Sequence, residues 1–116
     1  MTNILIVDDN KDLRALFKLI LNNFSILEAE NGIEAIEHFK DNKPDLILMD
    51  ILMPEMNGII ATQKILEIDP NAIIVAITAY STRADEIIKA GAKEVLKKPV
   101  RKEELLRKIK EYTVEA

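Results

Sequence analysis

The amino-acid sequence predicts an α/β fold built on a doubly wound, five-stranded parallel sheet with helices on both faces. Three observations lead to this prediction. Apolar runs at residues 4–7, 46–49 and 73–77 do not alternate with polar residues, as expected of strands covered on both faces. The segments between the runs carry apolar residues at helical spacing. Turn-forming residues such as Asn42-Lys43-Pro44 and Gly91 end those segments just before the next strand candidate.

Five strand candidates alternate with five helix candidates along the chain. Two shorter apolar segments, Ile26-Leu27 and Val95-Leu96, complete the set of strands. We expect each helix to face the sheet with one apolar stripe, the five stripes being Leu13, Leu16, Phe17, Ile20 and Leu21; Ile33, Ile36 and Phe39; Ile60, Ile65, Leu66 and Ile68; Ile87 and Ile88; and Leu105, Leu106, Ile109 and Tyr112. Because crossovers between parallel strands are right-handed, five such units give an open sheet, whereas a closed barrel needs more of them.

Length and composition fit one compact domain spanning residues 1–116, without room for an output domain. The chain lacks cysteine, which excludes a disulfide scaffold, a thiolate zinc site and thiol catalysis. With 20 acidic and 16 basic residues the net charge is -4, and the C-terminal basic residues alternate with glutamates, so we expect no nucleic-acid partner. Apolar runs fall far short of the roughly 20 residues that cross a bilayer, so we expect a cytoplasmic protein without membrane insertion.

Polar residues follow four of the predicted strands at what should be one edge of the sheet: Asp8 and Asp9 after the first strand, Asp50 after the third, Thr78 at the end of the fourth and Lys98 after the fifth. Each has an ordinary alternative role. Asp9 or Asn10 could cap the first helix, Thr78 could cap the fourth, and Asp50 could open a turn. Their joint occurrence favours a binding site, because doubly wound sheets bind ligands at the carboxyl ends of their strands.

The chemistry of these residues predicts a divalent cation and phosphoryl transfer. Three carboxylates held together repel one another unless a cation neutralises them. An acidic cluster of oxygen donors suits Mg²⁺, with Mn²⁺ as a substitute. An aspartate beside a divalent cation and a lysine is a plausible nucleophile that forms an acyl phosphate. The Thr78 hydroxyl could then hydrogen-bond a phosphoryl oxygen and make the site sensitive to the phosphorylation state.

These features resemble the response-regulator receiver domain, the aspartate-phosphorylated module of two-component signalling, over essentially the full chain. The matching residues are residues 4–10, Arg14, Glu30-Asn31-Gly32 with Glu34-Ala35, residues 44–50, Met53-Pro54 with Asn57-Gly58, Thr78-Ala79, Gly91-Ala92 and Lys98-Pro99. The resemblance implies a flavodoxin-like sheet with strand order 2-1-3-4-5. It also implies a cis peptide bond between Lys98 and Pro99.

The resemblance further assigns roles to individual residues. Asp50 is the expected phosphoacceptor, and Thr78 and Lys98 are expected to hold phosphoryl oxygens. Mg²⁺ is expected on Asp9, Asp50 and the backbone carbonyl of Leu52 directly, and on Asp8 through water. Leu52 and Tyr80 are expected to lie over the path of the hydrolytic water, and because neither orients water, we expect slow self-dephosphorylation.

The resemblance also implies partners. A sensor histidine kinase or a histidine phosphotransfer protein should supply the phosphoryl group, in a chemotaxis-like or phosphorelay-like system. A downstream target is expected on the face formed by helix 4, strand 5 and helix 5. We expect a monomeric switch rather than an enzyme with its own substrate.

Four details depart from the family pattern. Val95 replaces an aromatic on strand 5, and Val100 replaces the phenylalanine that usually follows the Lys-Pro pair. The first turn lacks its usual glycine, so Asn22 or Asn23 is expected to be the left-handed residue there. The stretch from Thr78 to Gly91 is short, which predicts a short or displaced fourth helix.

Two other classes of protein place phosphate chemistry on a doubly wound sheet. Aspartate-nucleophile Mg²⁺ phosphatases carry Asp-x-Asp after strand 1, where this chain has Asp8-Asp9-Asn10. Flavin or nucleotide carriers need a Gly-rich or Ser/Thr-rich phosphate loop at that position, which this chain lacks. The phosphatase remains the alternative interpretation.

Overall fold

The computed structural model describes residues 2–79 and 83–113 and contains one five-stranded parallel sheet with the order β2-β1-β3-β4-β5. The strands are β1 (Asn3–Val7), β2 (Ser25–Ala29), β3 (Leu46–Met49), β4 (Ile74–Thr78) and β5 (Glu94–Lys97). The helices are α1 (Lys11–Ile20), α2 (Gly32–Asn42), α3 (Gly58–Ile68), α4 (Ala84–Ala90) and α5 (Lys102–Thr113). The predicted fold class and strand order are confirmed, and α4, with seven residues, is short.

The sheet separates two buried clusters, so that both of its faces are covered. Ile4 and Ile6 of β1 pack with residues of α1 and α5, whereas Leu5 and Val7 pack with residues of α2, α3 and α4. This alternation explains why the strands are apolar at successive positions. No helix of the described residues is both long and apolar enough to span a membrane.

Several residues of the predicted apolar stripes lie at the surface. Exposed positions are Leu16, Ile33, Ile60, Ile68 and Ile88, so the stripe predictions are wrong there. In α2 the buried contacts come instead from Gly32, Ala35 and Phe39. A Cβ added at Gly32 would lie 2.8 Å from the Met56 backbone oxygen and 3.0 Å from the Ala61 Cβ. Small residues therefore allow α2 to approach α3 closely, and Ile33, next to Gly32 in α2, lies at the surface.

Asparagine side chains cap three of the helices. Asn10 accepts from the N–H groups of Asp12 and Leu13 at the start of α1, and Asn31 and Asn57 cap α2 and α3 in the same way. The α4 cap position is Arg83, which makes no side-chain capping bond. Asp9 and Thr78 are therefore not helix caps, and the capping alternative does not account for them.

The turn after α1 is right-handed. Leu21 N–H bonds to the Phe17 carbonyl at 2.8 Å and Phe24 N–H bonds to the Leu21 carbonyl at 3.0 Å. Positive φ angles among the described residues occur at three other positions, Lys43, Glu55 and Gly91. The prediction of a left-handed Asn22 or Asn23 is wrong, because successive right-handed turns connect α1 to β2 without one.

Candidate functional site

Three carboxylates meet at the carboxyl edge of the sheet. Val7 at the end of β1 pairs with Met49 at the end of β3, so the residues that follow these strands become neighbours. The backbone N–H of Asp50 donates to the Val7 carbonyl at 2.9 Å and continues this pairing. Asp8, Asp9 and Asp50 each offer one carboxylate oxygen within 4.8 Å of the others. The predicted clustering of these residues is therefore present in the structure.

Asp8 is the most enclosed of the three and is held at both carboxylate oxygens. Its side chain accepts from the Asn10 N–H at 2.8 Å through Oδ1 and from Lys98 Nζ at 2.8 Å through Oδ2. Only 3% of the residue is exposed. Because a buried carboxylate is stable only when paired, the ammonium of Lys98 is the main compensation for the Asp8 charge.

Asp50 lies in an environment that disfavours its ionised form. Burial is the largest cause and the Asp8 carboxylate the next, and together they raise the pKa of Asp50 to about 6. Lys98 Nζ, 3.5 Å from Asp50 Oδ2, and the Ile51 N–H, 2.9 Å from Oδ1, oppose this shift without cancelling it. Burial and the neighbouring Asp8 carboxylate therefore favour the protonated form of Asp50.

Gly58 allows the chain after Asp50 to fold tightly against the site. A Cβ at position 58 would lie 2.0 Å from the Asp50 carbonyl oxygen, a distance that backbone atoms cannot tolerate. The Gly58 N–H donates to the Ile51 carbonyl at 2.8 Å. The start of α3 thereby fixes the segment that carries Asp50 and Leu52, and Leu52 is 43% exposed.

Thr78 and Lys98 close the edge on the side of β4 and β5. The Lys98 N–H donates to the Thr78 carbonyl at 2.8 Å, which continues the pairing of the two strands. Thr78 is 1% exposed, and the peptide bond from Lys98 to Pro99 is cis, as predicted. Tyr80, the second predicted water-access residue, lies outside the described residues.

The carboxylate cluster fits a hard divalent cation. The donors are oxygens, and their spacing places three carboxylates around one possible ion position. Positive charge at this position would offset the repulsion that Asp8 and Asp9 exert on Asp50. Mg²⁺ suits such a site better than zinc, which prefers nitrogen and sulfur ligands.

One contact to the site did not emerge from the sequence as a role. Arg14 of α1 donates from Nη1 to the Asp8 backbone carbonyl and from Nε to Glu28 Oε1 at 3.0 Å. In the sequence, Arg14 belongs to the matching motif without a role of its own, and nothing marks Glu28 as a functional residue. The contact depends on where α1 lies relative to β2, which the sequence does not specify locally.

Basic residues in the C-terminal part have separate local partners. Lys98 belongs to the acidic edge, whereas Lys108 Nζ lies 2.7 Å from Glu94 Oε1 and 3.5 Å from Glu111 Oε2. The Tyr112 hydroxyl donates to Glu94 Oε2 at 2.8 Å. Partial burial alone would raise the pKa of Glu94, but Lys108 and Tyr112 outweigh it and lower that pKa. These contacts tie β5 to α5.

The strand order and the acidic edge with its lysine define the class of receiver domains in two-component signalling. The family model described as response regulator receiver domain matches residues 4–110, and the chain belongs to this family. Receiver domains are signalling switches and bind Mg²⁺ at an acidic cluster of the kind that Asp8, Asp9 and Asp50 form. The recognition made from the sequence is confirmed.

Among characterised relatives, the chain is 48% identical over 101 residues to the chemotaxis protein CheY of Thermotoga maritima, covering 83% of this chain and 84% of the relative. Borrelia burgdorferi CheY, solved in a complex with CheX, BeF₃ and Mg²⁺, superposes with a TM-score of 0.90 at 30% identity, covering 98% of this chain and 90% of that one. The Thermotoga maritima response regulator TrrA, solved with Mg²⁺ and BeF, gives 0.89 at 36% identity, covering 97% and 99%.

Proposed function

We propose that this chain is a phosphoacceptor switch of a two-component or phosphorelay system, phosphorylated on Asp50 in the presence of Mg²⁺. One observation carries the proposal. The Lys98 ammonium lies 2.8 Å from Asp8 and 3.5 Å from Asp50, inside a cluster of three carboxylates. A cation held against an aspartate that is 8% exposed can neutralise an incoming phosphoryl group and needs little rearrangement.

The reaction requires an ionised Asp50. A carboxylate oxygen attacks the phosphorus atom of a phosphohistidine, the new O–P bond forms as the P–N bond breaks, and the imidazole nitrogen leaves with the electron pair. With a pKa of about 6, Asp50 is mostly ionised at neutral pH even before a cation binds. The Ile51 N–H fixes Oδ1 at 2.9 Å and so orients the carboxylate.

The proposed cation ligands are those that the resemblance to the family implies. Asp9, Asp50 and the backbone carbonyl of Leu52 would hold Mg²⁺ directly, with Asp8 acting through water. Bound Mg²⁺ supplies positive charge to the transferring phosphoryl oxygens, and Mn²⁺ can replace it because it prefers similar donors. Asp8 keeps its position because Asn10 and Lys98 already bind its two oxygens.

Thr78 and Lys98 would read the phosphorylated state. Both lie at the strand ends beside Asp50, where a phosphoryl group adds strong acceptors for an ammonium and a hydroxyl. A new contact at Thr78 would be transmitted to α4 and β5, which follow it in the fold. Val95 of β5 is partly buried and packs against the core, at the position where family members often carry the aromatic residue that turns inward with the hydroxyl.

The proposal includes two protein partners, one that donates the phosphoryl group and one that binds the phosphorylated chain. A sensor histidine kinase or a histidine phosphotransfer protein would donate the phosphoryl group, and a target would bind the face of α4, β5 and α5. The complex of Borrelia CheY with CheX supports protein recognition by relatives of this kind. We expect the chain to act as a monomer and to catalyse no turnover beyond its own phosphorylation and slow dephosphorylation.

Labelling with acetyl phosphate tests the acceptor. Incubation with acetyl phosphate and Mg²⁺ should add one phosphoryl group, detected by intact mass, and Asp50→Asn should abolish it. Asp41→Asn, an exposed carboxylate at the end of α2, is the matched control and should label like the wild type. Equal labelling of the wild type and Asp50→Asn would refute the assignment, and steady release of phosphate from a small phosphomonoester would favour the phosphatase.

A further inference from the structure

Arg14 connects the acidic edge to the neighbouring strand. Its guanidinium donates from Nη1 to the Asp8 backbone carbonyl and from Nε to Glu28 Oε1 at 3.0 Å. The Arg14 side chain is 12% exposed, whereas its partner Glu28 is 33% exposed, so the contact between them is partly buried. A planar guanidinium with donors on two sides can make both contacts at once, which a lysine ammonium in one position does not.

Glu28 holds Arg14 from β2. Glu28 pairs with Ile6 of β1, which places its side chain beside the end of that strand. Lys18 Nζ lies 3.0 Å from Glu28 Oε2, so the carboxylate is shared between two cations. Partial burial alone would raise the pKa of Glu28, but Lys18 and Arg14 outweigh it and lower that pKa. Glu28 is therefore ionised at neutral pH and anchors Arg14.

The carbonyl that Arg14 binds belongs to the peptide that joins Asp8 to Asp9. The Asp8 N–H is fixed by the Ala29 carbonyl at 3.0 Å, and the Asp8 carboxylate by Asn10 and Lys98. Asp9 itself is exposed. Holding the plane of this peptide therefore sets the direction in which the Asp9 carboxylate leaves the backbone.

We infer that Arg14, anchored by Glu28, is a positioning residue that orients the Asp8-Asp9 peptide and thereby presents the Asp9 carboxylate to the divalent cation. The inference rests on the proposed function, because it takes Asp9 as a cation ligand. Arg14 does not contact the reacting atoms and acts through the backbone. Residues that orient ligands in this way affect metal affinity without binding the metal.

An electrostatic role and a positioning role of Arg14 predict opposite changes in Mg²⁺ affinity when Arg14 is replaced. As a nearby positive charge, Arg14 repels Mg²⁺, so a purely electrostatic effect would make Arg14→Gln bind Mg²⁺ more tightly. As a positioning residue, its loss would free the Asp8-Asp9 peptide and weaken binding. A merely structural role would lower thermal stability and leave the Kd of the folded protein unchanged.

The test is a calorimetric titration of Mg²⁺ into the folded protein without a phosphodonor. We expect Arg14→Gln and Glu28→Gln to raise the Kd for Mg²⁺ about tenfold, and Arg14→Lys to give a smaller increase. Lys18→Gln is the matched control, because it removes the exposed second cation from Glu28 and leaves both Arg14 contacts intact; its Kd should stay within about twofold of the wild type.

Two results would overturn the inference. The first is an Arg14→Gln variant that binds Mg²⁺ as tightly as the wild type or more tightly. The second is a Lys18→Gln variant whose Mg²⁺ affinity falls as much as that of Arg14→Gln. If Arg14→Gln does not fold, Arg14→Lys, which keeps the positive charge but not the planar guanidinium, decides the question by the same Kd. Acetyl phosphate labelling of the wild type at Asp50 is scored separately, so failure of the proposed acceptor would not be mistaken for failure of the Arg14 role.

Discussion

Lys98 Nζ lies closer to Asp8 Oδ2, at 2.8 Å, than to Asp50 Oδ2, at 3.5 Å. The ammonium therefore occupies a position beside two of the carboxylates that a divalent cation would share. Because both cations would be attracted to the same carboxylates, Lys98 and Mg²⁺ should partly compete. Lys98 can be expected to move toward Asp50 when a cation neutralises Asp8.

Lys98→Met should therefore tighten Mg²⁺ binding while slowing phosphorylation. Removal of a competing ion pair worth about 1 kcal/mol corresponds to roughly a fivefold lower Kd. The measurement is a Mg²⁺ titration beside the initial rate of labelling by acetyl phosphate. Lys97→Met, which removes an exposed lysine of the same charge from β5, should leave both quantities unchanged. Weaker Mg²⁺ binding in Lys98→Met would contradict the expected competition.

Asp50→Asn should stabilise the protein in the absence of divalent cations. The pKa of Asp50 is higher in the native protein, about 6, than in the unfolded chain, so the native state binds this proton more tightly. The stability that protonated Asp50 provides is fully present below about pH 4 and is lost as the pH rises through about 6. At neutral pH the ionised Asp50 therefore lowers the free energy of unfolding by up to about 3 kcal/mol relative to the protonated form.

The measurement is urea unfolding in a chelator between about pH 4 and pH 8. The excess stability of Asp50→Asn should be near zero at the acid end and reach its maximum above about pH 6. Asp41→Asn, the exposed control, should differ from the wild type by no more than about 0.5 kcal/mol across the range. A pH-independent difference would mean that ionisation of Asp50 is not its cause.

Thr78→Ala should separate phosphorylation from its effect. The variant should still be labelled at Asp50 but lose most of the amide chemical-shift changes that phosphorylation causes in α4 and β5, because the alanine offers no hydroxyl to the phosphoryl oxygens. Thr2→Ala removes the same atoms before β1, at the opposite edge of the sheet, and should keep the wild-type changes. If phosphorylation of Thr78→Ala caused the same chemical-shift changes as in the wild type, Thr78 would not be the residue that senses the phosphoryl group.

Thr62→Val should make the protein more stable. Thr62 is fully buried in α3, and its hydroxyl has no hydrogen-bond partner among the described residues. Replacing this hydroxyl with a methyl group of similar size removes a desolvation cost of about 1–3 kcal/mol. Urea unfolding measures the gain. Thr62→Ser keeps the hydroxyl, loses a methyl group and should be less stable than the wild type.

Self-dephosphorylation should be slow relative to receivers that carry polar residues at the two water-access positions. Leu52 is 43% exposed beside the acceptor and offers water no carboxylate or amide. The double variant Leu52→Asn with Tyr80→Glu should lose its phosphate several-fold faster, since polar side chains at the two expected water-access positions would orient the attacking water. The measurement is phosphate loss from purified phosphoprotein in Mg²⁺; equal lifetimes would exclude control by these residues.

Much of the fold was predictable because its strands are buried on both faces. The runs at residues 4–7 and 46–49 are apolar without interruption, and the polar residues that follow them stand out for that reason. Asp8 and Asp50 were therefore placed correctly at one edge. This success depends on the sheet being parallel, since every strand then ends on the same side.

Other features depend on distances that the sequence does not encode locally. Ile33 was expected in the core but lies exposed, while α2 approaches α3 through Gly32; a stripe of apolar residues cannot reveal such a close approach. The hydrogen bond between Arg14 and Glu28 depends on the position of α1 relative to β2. The unpartnered hydroxyl of Thr62 could be found only from the packed structure.

The raised pKa of Asp50 has an evolutionary consequence. Without its cation this protein keeps three carboxylates close together at a cost in folding free energy, and a single change to asparagine would relieve part of that cost. Selection for stability alone would therefore erode the cluster within a few substitutions. Under the proposed function, persistence of Asp8, Asp9 and Asp50 in a lineage would report continued phosphorylation, and a descendant that no longer received phosphoryl groups should drift toward neutral, more stable residues at these positions.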